Sequence, residues 1–181
     1  MIPPMELTVT TAVLLILIPL LVWRIYSRLR MVFARQESVM WRHWSGALFF
    51  PIALAASASS MLNNTLAVSL LGSATLAGGW LAFFALKKTH YEVLQRGYFF
   101  TPPVRTGMLV CMLFTARVLQ IAVEFYLNRQ SDFPKVIAHD EVMQHPATVV
   151  TFGLLAGYFA LYSIGLIRWR LSHKPLPEQE N

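Results

Sequence analysis

Apolar residues in this chain are bunched into five runs rather than spread with a helical or strand period, and that distribution constrains the fold more than any other feature. The runs cover residues 7–23, 45–62, 66–86, 107–127 and 147–167. Each is close to the roughly 20 helical residues that cross a hydrocarbon layer about 30 Å thick. Within lipid every backbone N–H and C=O must be paired internally, so only helices and closed barrels span it. No ten-residue stretch alternates apolar and polar as a barrel strand does. The expected fold class is all-α: a polytopic transmembrane bundle of five helices, one domain over residues 1–173, with a disordered cytoplasmic tail at 174–181. Apolar and aromatic residues make up 56% of the 181, and charged residues only 13%, against about 25% in a soluble domain. That balance excludes a disordered chain, a disulfide scaffold and an ordinary soluble enzyme.

The connections carry the charge. Arg24, Arg28, Arg30, Arg35 and Arg42 lie between the first two runs, and Lys87, Lys88, Arg96 and Arg105 between the third and fourth. Arg168, Arg170 and Lys174 follow the fifth, whereas the opposite side holds only Arg129 and Lys135. Basic residues collect in cytoplasmic loops, so five spans give an outside N-terminus and a cytoplasmic C-terminus. The formal +6 is then sidedness, and nucleic acid is not an expected partner. Residues 1–6 contain no base and no A-x-A-like cleavage site follows the first run, so that run is read as a span that stays. Trp23, Trp41, Trp44 and Trp169 fall at the cytoplasmic ends, where indoles settle among headgroups. With Arg24, Arg28, Arg30, Arg168 and Arg170 they form an expected basic and aromatic membrane interface. Anionic headgroups attract such a segment by about 1 kcal/mol per basic residue. The expected partners are anionic lipids at the cytoplasmic face and other membrane proteins, in a bacterial inner membrane.

The second cytoplasmic loop has its own pattern. Residues 91–94 and 98–101 are two β-prone runs about Gln95-Arg96-Gly97, ended by Pro102-Pro103. This predicts a small hairpin, which packs on the membrane surface or on the first loop because an isolated hairpin is marginal.

Arg117 is the one basic residue that sidedness does not explain. Ten positions into the fourth run, its guanidinium costs about 2.5–3.5 kcal/mol at the bilayer centre, so it should face the interior and be paired. Glu124 lies two turns further along the same face, about 10 Å nearer the outer surface. Ser57, Ser69, Ser73, Tyr158 and Tyr162 are other candidate partners from neighbouring runs. An anion, lipid-headgroup or proton site is one reading of Arg117 and Glu124. A buried polar strut that fixes helix packing is the plainer one and is weighted above it.

No histidine falls within a run, so a haem held between transmembrane helices has no evident ligands. His139, Asp140, Glu141 and His145 place four donors within seven residues, but an i, i+6 histidine pair does not share a helix face. No metal, catalytic residue or cofactor is expected. Cys111 is the single cysteine and can form neither an intramolecular disulfide nor a C-x-x-C relay. Residues 153–157 form a G-x-x-x-G and residues 74–78 a small-xxx-small motif. Both permit close helix approach, here within the chain in preference to dimerisation. Pro19 and Pro51 should kink the first two helices.

Trp23-Arg-Ile-Tyr-Ser-Arg-Leu-Arg30 followed by Ala34-Arg-Gln36 resembles the first basic loop of the CcdC-like family of bacterial membrane proteins. Tyr98-Phe-Phe-Thr-Pro102, close before a span carrying Ala116-Arg117, is similar to that family's Tyr-Tyr-Thr-Pro stretch and its Gly-Arg or Ala-Arg pair. The similarity covers roughly residues 7–127. It implies an inner-membrane protein of a family named for a gene neighbour of cytochrome c maturation, and it supplies no catalytic residues. The functional expectation is a non-enzymatic scaffold or accessory subunit. A small transporter using the polar interior around Arg117 and Glu124 is the first alternative, and an accessory factor in cytochrome or respiratory-chain assembly the second.

Overall fold

The computed structural model describes residues 9–32, 35–94, 97–130 and 139–173. The expected tail at 174–181, the turn residues 95–96, Lys135, and the side chains of Arg30 and His139 lie outside the described residues. Each apolar run folds as a helix: α1 (Val9–Val32), α2 (Met40–Ser60), α3 (Thr65–Lys88), α4 (Val104–Gln130) and α6 (Pro146–Ser172), with a short α5 (His139–Gln144) before the last. Among the described residues α3, α4 and α6 are long and apolar enough to cross a membrane. Arg42, His43 and four serines dilute the apolar character of α2, which falls outside that set. Pro19 and Pro51 lie inside uninterrupted α-helices.

The last helix organises the bundle. α6 packs along α3, against α2 and α4, and on α5. The α3–α6 contact depends on small residues four apart, which leave a flat stripe on each helix. A Cβ on Gly78 would overlap the Leu154 carbonyl oxygen, and one on Gly157 that of Thr75. A Cβ on Gly153 would lie 3.0 Å from both the Ala74 Cβ and the Leu71 carbonyl oxygen. The two motifs read from the sequence therefore face one another within the chain. Around them Ala82, Ala85, Val110, Tyr158, Tyr162 and Leu166 form one buried cluster, and Met61, Ala67, Leu71 and Val149 a second.

Local chemistry sets the helix ends. Asn64 caps α3 by accepting from Ala67 N–H at 3.1 Å, and its amide donates to Gln144 Oε1 at 3.1 Å, tying the α2–α3 turn to α5. Thr89 ends α3: its hydroxyl donates to the Ala85 carbonyl and pairs with the Tyr162 hydroxyl at 2.9 Å. Pro146 opens α6 at a position where its missing N–H costs nothing.

The expected hairpin is present as β2 (His90–Leu94) and β3 (Gly97–Thr101), with Gly97 at φ +143°, a region that favours glycine. A third strand joins it. β1 (Gln36–Glu37) pairs antiparallel with β3, giving the order β1-β3-β2. The sheet docks on the end of α6, where Trp169 meets Tyr91 in a tilted contact at 4.6 Å and Tyr98 edge-on at 5.8 Å. Arg170 lies over the Tyr98 ring at 5.0 Å and donates to the Ser38 carbonyl. Trp169 and Arg170 thus serve the junction between sheet and helix, a use that the expectation of a lipid interface did not foresee. Trp23, Arg24, Arg28, Trp41, Trp44 and Arg168 are exposed.

Candidate intramembrane site

Arg117 sits mid-way along α4 and is 5% exposed, one of three buried residues on that helix with Gly107 and Val110. Its Nε donates to Thr148 Oγ1 at 3.0 Å. Its Nη1 stands 3.6 Å from Glu124 Oε1, an ion pair longer than a hydrogen bond, and no group among the described residues accepts a hydrogen bond from that nitrogen. The same Glu124 oxygen accepts from Gln120 Nε2 at 2.8 Å. The i, i+7 spacing and the reach of the arginine along α4 bring the two charges within 3.6 Å.

The other partner differs from expectation. Ser69 and Ser73 are exposed and donate to the carbonyls of Leu66 and Leu70 in their own helix. Tyr158 and Tyr162 belong to the core cluster nearer the sheet, and Tyr162 is engaged by Thr89. Only Ser57 lines the same cavity as Arg117. Thr148, absent from the expected set, is the hydrogen-bonding partner. It stands in the first turn of α6, so the guanidinium is level with the start of that helix.

Arg117 forms part of the wall of a partly open cavity of about 410 Å³ lined by residues of α2, α3, α4, α5 and α6 and by Met61. The rest is largely apolar, with Phe114, Ile121, Phe125, Met143 and Phe152 among its aromatic and aliphatic lining. Phe114 and Phe152 approach with ring centroids 6.4 Å apart. This volume falls within the roughly 300–1,000 Å³ of small-molecule sites, which combine apolar walls with a few directional polar groups. The polar residues of the lining are Arg117, Ser57 and Thr148.

A smaller cavity of about 180 Å³ lies where the sheet meets α2 and α6, lined in part by Glu37, Arg42, His43, Tyr158 and Ser163. His43 is buried there, paired with Ser38 Oγ at 2.9 Å and edge-on to Phe100 at 5.5 Å. Burial, reinforced by the charges of Arg170 and Arg42, holds its imidazole below the ordinary value of 6.5. The folded chain therefore takes up this proton at lower pH than the unfolded chain does. Stability should be level above about pH 6.5 and fall as pH drops from there through the folded-state value. Thermal unfolding in detergent between pH 8 and pH 5 should show that decline for the wild type and a shallower one for His43→Gln. Equal slopes would remove His43 as the cause.

Of the donors between the fourth and fifth runs, His145, Asp140 and Glu141 have described side chains. His145 caps α6 by accepting from Ala147 N–H at 3.3 Å, and Asp140 and Glu141 occupy the first turn of α5. No group of three or more His, Cys, Asp or Glu able to hold a metal occurs among the described residues. Comparison with protein-family models, with curated proteins and with solved structures finds no match to this chain.

Proposed function

We propose that this chain is a non-enzymatic accessory protein of a bacterial inner membrane that holds an apolar ligand drawn from the bilayer in its Arg117 cavity. One observation carries the reading: a nearly fully buried guanidinium, with one nitrogen unpaired among the described residues, forms part of the wall of a largely apolar cavity. A group that costs this much within lipid is functional by default. Wild-type protein purified in mild detergent should retain a bound apolar molecule in near-stoichiometric amount, recovered by solvent extraction and identified by mass spectrometry. Phe152→Trp, which narrows the chamber, should lower retention severalfold. Equal recovery from both would end the reading.

In this proposal α1 and α2 also cross the membrane, giving five spans with the N-terminus outside and the C-terminus in the cytoplasm. The support is the gathering of twelve of the fifteen basic residues on one side of the five runs. The exposed Arg24, Arg28 and Arg168 then meet anionic headgroups, and the sheet lies at the cytoplasmic face. Reporter fusions after Gly97 and after Pro134 test the arrangement. The first should be active only in the cytoplasm and the second only outside, and the reverse pattern would overturn it.

A further inference from the structure

The outer side of α4 carries a pattern that packing within the chain leaves unused. Leu109, Leu113, Ala116, Gln120, Val123 and Leu127 recur alternately four and three positions apart. Five of the six are exposed and Val123 is half-buried. The stripe therefore lies off the side that buries Gly107, Val110 and Arg117. A strict repeat of 3.5 residues is the seam of two helices in a left-handed crossing. From Leu109 to Leu127 it runs about 27 Å, most of a hydrocarbon layer about 30 Å thick. Among the described residues, α4 is also the least covered of the three helices able to cross a membrane.

Exposed leucines alone carry no argument, because in lipid they need no cover. Gln120 does need it. Its Nε2 donates to Glu124 Oε1 at 2.8 Å within α4, and a carboxamide has a second N–H and a carbonyl acceptor besides. Near the middle of a span those exposed groups meet hydrocarbon, where no water pairs them. A single polar residue inside an apolar heptad seam sets register and oligomeric state. The carboxamide is donor and acceptor at once, so it is complementary to a copy of itself across a two-fold axis. Copies of one chain enter the membrane in one orientation, which makes their α4 helices parallel and their Gln120 side chains level. Glu124 lies beside the seam, and Arg117 of the same chain balances its charge at 3.6 Å. Two copies therefore meet without uncompensated like charges. We propose that the protein forms a parallel two-fold dimer through α4, with the Gln120 carboxamides of the two copies hydrogen-bonded at its centre. None of the six stripe residues lines the Arg117 cavity, so the dimer stands apart from the ligand reading.

Oxidative cross-linking in membrane vesicles tests this with the full chain carrying Cys111→Ala and one new cysteine. Leu113→Cys and Leu127→Cys should each give a covalent dimer. Val118→Cys, exposed but off the stripe, should give little or none. Energy transfer between labelled copies in liposomes, followed as lipid is added, reads the affinity of the dimer. Gln120→Leu should lower it about threefold to tenfold, the span of one hydrogen bond between membrane helices. Ala116→Phe places a bulky ring at an exposed position in the middle of the seam. It should lower the affinity further while each copy still folds. The dimer would be overturned by no cross-link at Leu113→Cys and Leu127→Cys, or by one equally strong at Val118→Cys. An adduct with a different protein in place of the dimer, or an affinity indifferent to Ala116→Phe, would overturn it equally. An affinity unchanged in Gln120→Leu would remove the paired carboxamides, and with them the reason for the interface.

Discussion

Gly157→Leu is expected to lose the packed α3–α6 pair and with it most of the bundle's thermal stability. The substituted Cβ would run into the Thr75 carbonyl, which belongs to the backbone of α3 and cannot rotate aside. Overpacking in a well-filled core costs about 1–3 kcal/mol when side chains can shift, and more when they cannot. A chain of this size loses roughly 2–4 °C per kcal/mol, so a fall of about 10 °C or more is expected in detergent. Because α6 also carries α2, α4, α5 and the sheet, displacement at Gly157 should spread beyond one interface. Gly72→Ala is the control. Its Cβ would meet nothing within 4 Å, and alanine is favoured over glycine within a helix by about 0.5–1 kcal/mol. Its melting temperature should stay level or rise slightly. Equal melting of the two variants would show that close approach at Gly157 does not hold the pair.

The features legible in the sequence are those with a local physical signature. Small residues four apart lie on one helix face whatever the rest of the chain does, so 74–78 and 153–157 announced a contact. Gly97 between two β-prone runs announced a hairpin, since its backbone conformation is one that side chains rarely adopt. Glu124 was legible for the same reason, two turns from Arg117 on one helix. Thr148 was not, because its contact depends on how α4 and α6 are staggered, and stagger is set by packing across the whole bundle. The strand at Gln36–Glu37 has no apolar pattern and exists because β3 offers it an edge. Trp169 and Arg170 look like lipid anchors to any hydropathy argument, since a neighbouring tyrosine ring and a headgroup layer accept the same side chains. The acidic first turn of α5 was a usable sign of a helix start, hidden within a polar loop.

Arg117→Leu and Glu124→Gln are expected to differ sharply in stability although they break the same ion pair. The two residues are unequally placed: the Arg117 side chain is 4% exposed and that of Glu124 51%. Removing the arginine leaves a half-exposed carboxylate that still accepts from Gln120, and it adds apolar volume to an apolar wall. Replacing buried ionic groups by hydrophobic residues of similar volume is often neutral or stabilising. Arg117→Leu should therefore melt within a few degrees of the wild type, or above it. Neutralising Glu124 instead leaves the guanidinium buried with Thr148 as its remaining hydrogen-bond partner. Breaking a buried pair costs 3–5 kcal/mol and an exposed one about 0–1, so a loss of roughly 1–3 kcal/mol is expected for Glu124→Gln. Thermal unfolding of the two variants side by side decides between the roles open to Arg117. A strut that holds α4 to α6 would make Arg117→Leu the more damaging change. A binding group kept at some expense to the fold would make it the milder one, with ligand retention as the property lost.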